Sequence, residues 1–153
     1  MEGRLVDELA CAVVAEAAPE EAKHFPAIAA AVRRDPGRAF RRGRDDMLGF
    51  GVADAMALLS PIVLTVLTDV VSNKMTNLVD GQSRRLVRSL RRRWPLRRKQ
   101  QIAPPEAAVP VLEPEAAEQA AAAAEEIALT LGVEEPVARV LRQALYGHLS
   151  GQR

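Results

Sequence analysis

The spacing of apolar residues along the chain is that of α-helices. Leu5, Leu9 and Val13 recur about one helical turn apart, and a similar period returns in the later segments. Ala and Leu dominate, alternating β-branched runs are rare, and no Asn-Gly hairpin dipeptide occurs. The sequence therefore predicts an all-α fold, a small multi-helix chain.

Prolines and charged clusters divide the first two thirds of the chain into three predicted segments. Residues 1–35 form an acidic N-terminal helical hairpin that Pro19 interrupts, and residues 36–46 form a short basic linker. Residues 47–99 hold a long apolar helix followed by an Arg-rich amphipathic helix. The apolar helix lies at the centre of this predicted arrangement.

The last third is predicted to be a linker and a second hairpin. Residues 100–115 contain four prolines, which favours an extended, semi-rigid Pro-rich linker rather than packed structure. Residues 116–153 then form a C-terminal helical hairpin. Its first helix is Ala-rich and ends at Gly132, and Pro136 begins the second.

The apolar helix is too short to be an ordinary membrane anchor. Fourteen uncharged residues separate Asp54 from Asp69, and they span roughly 21 Å against about 30 Å of hydrocarbon. A longer span includes both aspartates, which are costly inside a bilayer. Basic clusters flank the segment on both sides, which disfavours a single crossing. We therefore expect it to lie at the interface, to insert conditionally, or to stay in a protein core.

Polar and apolar residues occupy different sides of this predicted helix. The polar positions fall within an arc of about 100° and form a polar seam: Asp54, Thr65, Thr68, Asp69 and Ser72. The positions predicted to face the membrane lie on the wide apolar side: Met56, Leu59, Ile62, Val63, Val66, Leu67 and Val70. In a membrane the seam has to face another helix or water. In a helical bundle the same seam would face solvent.

Composition adds a strong separation of charge. The formal charge is only +1, yet residues 31–99 hold sixteen bases against six acids, and both ends of the chain are acidic. Such separation favours an anionic partner for the middle of the chain, or neutralisation of the middle by the chain's own ends. Residues 82–100 carry the densest cluster, which is the predicted anion-binding site: Arg84, Arg85, Arg88, Arg91, Arg92, Arg93, Arg97, Arg98 and Lys99.

The Arg-rich segment has the pattern of a helix that lies on a lipid surface. Leu86, Leu90 and Trp94 form a narrow apolar ridge, so Trp94 joins the predicted membrane-facing residues while the arginines meet anionic headgroups. The same charges also allow binding to nucleic-acid phosphates, although Trp94 is the only ring nearby for base stacking. A solvated basic face is the third interpretation.

Catalytic and metal-binding patterns are absent from the sequence. Cys11 is the only cysteine, and His24 and His148 lie far apart, with His148 expected to be exposed. We expect no enzyme activity, no cofactor, no metal site and no small-molecule substrate. Residues 125–145 resemble a helix-turn-helix, but Glu134 and Glu135 oppose binding to phosphates, so we interpret them as a docking or packing hairpin.

These observations predict a non-enzymatic, membrane-associated helical protein. We expect a cytoplasmic protein in which residues 47–99 bind anionic membranes peripherally or insert into them conditionally, at the inner face of the membrane. The acidic ends contact a protein partner or a second copy. The alternative is a helical adaptor that binds nucleic acid or an acidic protein through the Arg-rich segment.

Overall fold

The computed structural model describes residues 4–34, 59–72 and 102–152. Within these ranges 75% of the residues are helical and no strand occurs. The prediction of an all-α fold is confirmed. Six helices are present in the described ranges: α1 (Val6–Ala17), α2 (Pro19–Ala22), α3 (Phe25–Arg34), α4 (Leu59–Ser72), α5 (Pro114–Thr130) and α6 (Glu135–Leu149).

Helix α4 is packed by helices from both sides of the sequence. It contacts α1, α2 and α3, which precede it, and α5, which follows it. Helices α5 and α6 form an extensive hairpin, and α1 also contacts α6. The largest fully buried side chains include Ile62, Leu64 and Leu67 of α4 and Leu141 and Leu145 of α6. These residues belong to a single hydrophobic core.

The Ala-rich composition of α5 determines how closely it packs. Its buried face consists almost wholly of alanine, with Ile127 as the one larger buried side chain. Small side chains let helix backbones approach each other closely, and alanine adds the highest helix propensity. Larger apolar residues of α6, such as Leu141 and Leu145, are fully buried in the same core.

The turn between α5 and α6 depends on Gly132, as predicted. Gly132 has φ +93°, a left-handed conformation that favours glycine. The Val133 amide donates to Ala128 O at 2.9 Å and the Gly132 amide donates to Leu129 O at 3.1 Å, which is the Schellman pattern at a helix C-terminus. Pro136 lies in the first turn of α6, where a missing N–H costs nothing.

Substituting Gly132 by alanine is expected to lower the free energy of unfolding by about 1 kcal/mol, because a Cβ disfavours positive φ. Apart from Gly132 and its two chain neighbours, no heavy atom lies within 4 Å of the position that this Cβ would occupy, so contact with the rest of the protein adds nothing. Chemical denaturation measures the change. Gly132→Asn is the matched control. Its free energy of unfolding should fall by less than that of Gly132→Ala, since asparagine tolerates the left-handed region. Equal losses for the two variants would contradict the conformational explanation.

The proline-containing segment before α5 is not helical and is packed against the rest of the chain. Ile102, Ala103, Val109 and Leu112 are buried in the core, which differs from the expected free linker. The Val6 amide donates to Ala107 O at 2.9 Å, the Val109 amide to Arg4 O at 2.8 Å, and the Leu112 amide to Leu149 O at 2.7 Å. The prolines prevent helix formation, while the apolar residues between them supply the packing surface.

The predicted segment boundaries stay a prediction. The structure adds that residues of the N-terminal helices, α4, the proline-containing segment and the C-terminal hairpin share one core. Segments 36–46 and 73–99, together with the first part of the predicted apolar helix, lie outside the described residues.

Candidate functional site

Helix α4 is the described part of the segment that the sequence marks as functional. Every residue from Leu59 to Val70 is buried. Six of the predicted membrane-facing residues are at most 2% exposed and lie in the core of the chain: Leu59, Ile62, Val63, Val66, Leu67 and Val70. In this structure they contact protein rather than lipid. A membrane-facing role would therefore require α4 to leave the core.

The polar seam of α4 also faces protein. The Thr65 hydroxyl donates to Pro61 O at 2.7 Å, and the Thr68 hydroxyl donates to Leu64 O at 2.6 Å. Thr68 Oγ1 in turn accepts the Ala103 amide at 2.9 Å. Asp69 is fully buried as well. The expectation that the seam faces solvent in a bundle is therefore wrong for these three residues. For the two threonines the reason is that hydroxyls bonded to backbone carbonyls enter a core at low cost.

The remaining seam positions differ from one another. Ser72 is exposed at the end of α4, as a solvent-facing position would be. Asp54 lies outside the described residues. The described seam thus consists of three buried residues, of which Thr68 contacts the proline-containing segment, and a serine at the surface.

A buried carboxylate lies at the N-terminus of α4. Glu21 of α2 is only 4% exposed, and its Oε1 accepts the Ser60 amide at 2.9 Å. This amide is one of the first-turn donors that a helix cannot satisfy internally, and Pro61, which follows it, has no N–H to offer. Glu21 Oε2 and Ser60 Oγ are buried without a hydrogen-bond partner in the described structure. Glu21 is therefore an imperfect cap.

Burial raises the pKa of Glu21 to about 7, and hydrogen bonds from Ser60 and Leu59 lower it by a smaller amount. Protonated and ionised forms of Glu21 therefore coexist near neutral pH. The sequence places Glu21 as an acid near the positive end of its own short helix, and no local pattern reveals that it reaches a helix 39 residues away.

His148 joins the first and last described helices. Its side chain is 6% exposed, so the expectation of an exposed histidine is wrong. Arg4 Nη1 lies 2.7 Å from Nδ1. Glu16 Oε1, near the end of α1, lies 3.0 Å from Nε2. Both ring nitrogens therefore have a charged neighbour.

Arg33 of α3 connects three parts of the chain. Its guanidinium donates to both carboxylate oxygens of Asp7 on α1, with one contact of 3.0 Å from Nη1 to Oδ2. Its Nε donates to Ala103 O at 3.0 Å. This bidentate ion pair fixes the orientation of α3 relative to α1, which the single ammonium group of a lysine could not do. The sequence indicates only a favourable position for Arg33 near the end of its helix.

The predicted anion-binding residues Arg84, Arg85, Arg88, Arg91, Arg92, Arg93, Arg97, Arg98 and Lys99 lie outside the described residues, as do Met56 and Trp94. The charge of the described part is nonetheless informative. Residues 4–34, 59–72 and 102–152 hold fourteen Asp and Glu against six Lys and Arg, a formal charge of −8. The remaining residues hold six acids against fifteen bases, a charge of +9.

The described residues contain no group of three or more His, Cys, Asp or Glu side chains with the geometry to hold a metal ion. Among the same residues, no helix has both the length and the apolar character that a membrane span requires. No protein-family model matches the chain, and no curated protein or solved structure is detectably similar to it.

Proposed function

We propose that this is a non-enzymatic helical protein that binds anionic membrane surfaces through its Arg-rich segment, residues 82–100, while α4 stays in the folded core. The observation that carries the proposal is the separation of charge along the sequence, because residues 31–99 hold sixteen bases against six acids while both ends of the chain are acidic. Opposite charges in separate parts of one chain let the basic part bind an anionic surface that the acidic part avoids.

Lipid is favoured over nucleic acid by the residues between the arginines. Leu86, Leu90 and Trp94 recur at helical spacing, and a Trp-Leu ridge flanked by arginines is typical of helices that lie at the headgroup boundary. Stacking on single-stranded bases calls for several aromatic rings, and Trp94 is the only tryptophan of the chain.

Peripheral binding is favoured over insertion by the burial of α4. Two of its polar groups bond to other parts of the chain: the Ser60 amide donates to Glu21, and Thr68 Oγ1 accepts the Ala103 amide. Moving α4 into lipid would exchange one apolar environment for another and would break these bonds, so little free energy favours insertion. Asp69, fully buried in α4, would add the cost of a carboxylate in hydrocarbon.

Vesicle binding tests this proposal. The full-length protein should co-float with vesicles that contain phosphatidylglycerol but not with pure phosphatidylcholine, and raising the salt from about 0.05 M to about 0.5 M should release it. Fluorescence of Trp94 should shift to the blue when the protein binds. Replacing Arg91, Arg92 and Arg93 by glutamine should weaken binding by roughly a hundredfold, since each base contributes about 1 kcal/mol.

The matched control removes three exposed bases that lie outside the Arg-rich segment, Lys23, Arg34 and Arg139. This variant should change the affinity for anionic vesicles by less than about threefold. Equal weakening by both triple variants would contradict a specific role for the Arg-rich segment. Tighter binding to duplex DNA than to anionic vesicles at equal salt would overturn the lipid assignment. Leakage of trapped dye would overturn peripheral binding in favour of insertion.

A further inference from the structure

The contact between Arg4, His148 and Glu16 links residues that are far apart in the sequence. Arg4 precedes α1, Glu16 lies near the end of α1, and His148 lies in the last turn of α6. The imidazole is 6% exposed, so both of its nitrogens are largely removed from water. A buried imidazole with two charged neighbours is sensitive to which nitrogen carries the proton.

Hydrogen-bond chemistry fixes the position of that proton. A guanidinium has only donors, so the 2.7 Å contact from Arg4 Nη1 requires Nδ1 of His148 to accept. The proton is then on Nε2, which donates to Glu16 Oε1 at 3.0 Å. The contact therefore holds a neutral imidazole in the Nε2–H tautomer. Adding a proton to Nδ1 would place two donors against each other and break the bond to Arg4.

We propose that Arg4, His148 and Glu16 form a pH-dependent clamp, which holds the start of the chain on α6 while the imidazole is neutral and releases Arg4 when the imidazole is protonated. Glu16 keeps its bond in both states, because Nε2–H donates in both. Acidification therefore loosens the N-terminal segment without detaching α1 from α6.

Other charged groups on the surrounding elements have contacts of their own or lie at the surface. Asp7 of α1 bonds to Arg33, and Glu118 and Glu125 of α5 pair with Arg142. The others are exposed: Glu8 on α1, Glu113 before α5 and Glu115 in its first turn. Arg4 and Glu16 are thus the charged side chains that contact the imidazole directly.

Release of Arg4 has a local reporter. The Val109 amide donates to Arg4 O at 2.8 Å, and the Val6 amide donates to Ala107 O at 2.9 Å. Both bonds join the N-terminal segment to the proline-containing segment, so both should open more often once Arg4 loses its side-chain contact. The Val133 amide, bonded to Ala128 O in the turn between α5 and α6, is a distant control.

Nitrogen NMR of the histidine side chains tests the clamp directly. At about pH 8 His148 should show the Nε2–H tautomer, because its Nδ1 accepts from Arg4. On acidification to about pH 5, hydrogen-exchange protection of Val109 and Val6 should fall by roughly tenfold after correction for intrinsic rates, while that of Val133 stays constant.

Arg4→Met, which keeps the length of the side chain but has no donor, should show the low protection of Val109 already at about pH 8 and no further fall at about pH 5. Arg34→Met, the loss of an exposed arginine on α3, should behave as the wild type. An Nδ1–H tautomer at high pH, or protection of Val109 that is unchanged by acid in the wild type, would overturn the proposal.

Discussion

Truncating Leu64 to alanine is expected to lower the free energy of unfolding by about 3 kcal/mol. Leu64 is 0% exposed and is among the largest fully buried side chains of the chain. Its removal leaves a cavity in the middle of α4, where helices pack from both sides of the sequence. A loss of this size is a large fraction of the stability of a small domain. Urea denaturation followed by circular dichroism measures it.

Leu129→Ala is the matched control, because it removes the same side-chain atoms at a position outside the core. Leu129 on α5 is 43% exposed. It should alter the free energy of unfolding by less than about 0.5 kcal/mol. If both variants lost equally little, α4 would not be enclosed in solution, and the membrane-facing interpretation of its apolar residues would regain support.

Replacing Glu21 by glutamine is expected to stabilise the protein by roughly 3 kcal/mol above pH 7. Burial raises the pKa of Glu21 from 4.5 to about 7, so the folded state binds this proton more tightly than the unfolded state does. The contribution of Glu21 protonation to the free energy of unfolding is therefore complete below about pH 4.5. It falls as the pH rises and is lost above about pH 7. A shift of about 2.5 pKa units corresponds to roughly 3 kcal/mol.

Glutamine keeps an acceptor for the Ser60 amide and carries no charge, so its variant should lack this fall in stability between pH 4.5 and 7. Thermal unfolding across this pH range measures the difference between the two proteins. Glu20→Gln, at a neighbouring position whose side chain is 72% exposed, should leave the pH profile unchanged. Identical pH profiles for Glu21→Gln and the wild type would show that the carboxylate is hydrated rather than buried.

The sign of this effect also bears on conditional insertion. Protonation of Glu21 strengthens the hold of the N-terminal helices on α4, so acid does not release α4 through this residue. Acidification is predicted to act instead at His148, where it loosens the N-terminal segment. Protonation of Glu21 is therefore not a mechanism by which low pH would release α4 from the core.

The sequence predicts the class of fold and the turn of the C-terminal hairpin because these depend on local chemistry. High helix propensity, the left-handed conformation at Gly132 and a proline in a first turn each act within a few residues. The absence of a helix from the proline-containing segment, in its described residues 102–113, follows for the same reason. The packing of this segment does not, because Val109 and Leu112 gain their partners from distant parts of the chain.

The environment of α4 is the main feature that local patterns cannot determine. A helix that is apolar on nearly every side suits lipid and a protein core equally well, so Ile62 and Val66 give no means of choosing between them. Thr65 and Thr68 resemble a water-facing seam until their bonds to backbone carbonyls are known. Glu21 and His148 depend on contacts across 39 and 132 or more residues, respectively.

The packing of α4 determines when the protein can fold during synthesis. Helices α1 to α3 leave the ribosome before α4, but α5, which completes its cover, ends only at Thr130. A nascent chain that has reached Ser72 must carry part of an apolar helix without its final partners, and such surfaces aggregate or recruit chaperones. Emergence of α5, rather than emergence of α4, is the step at which that hazard diminishes.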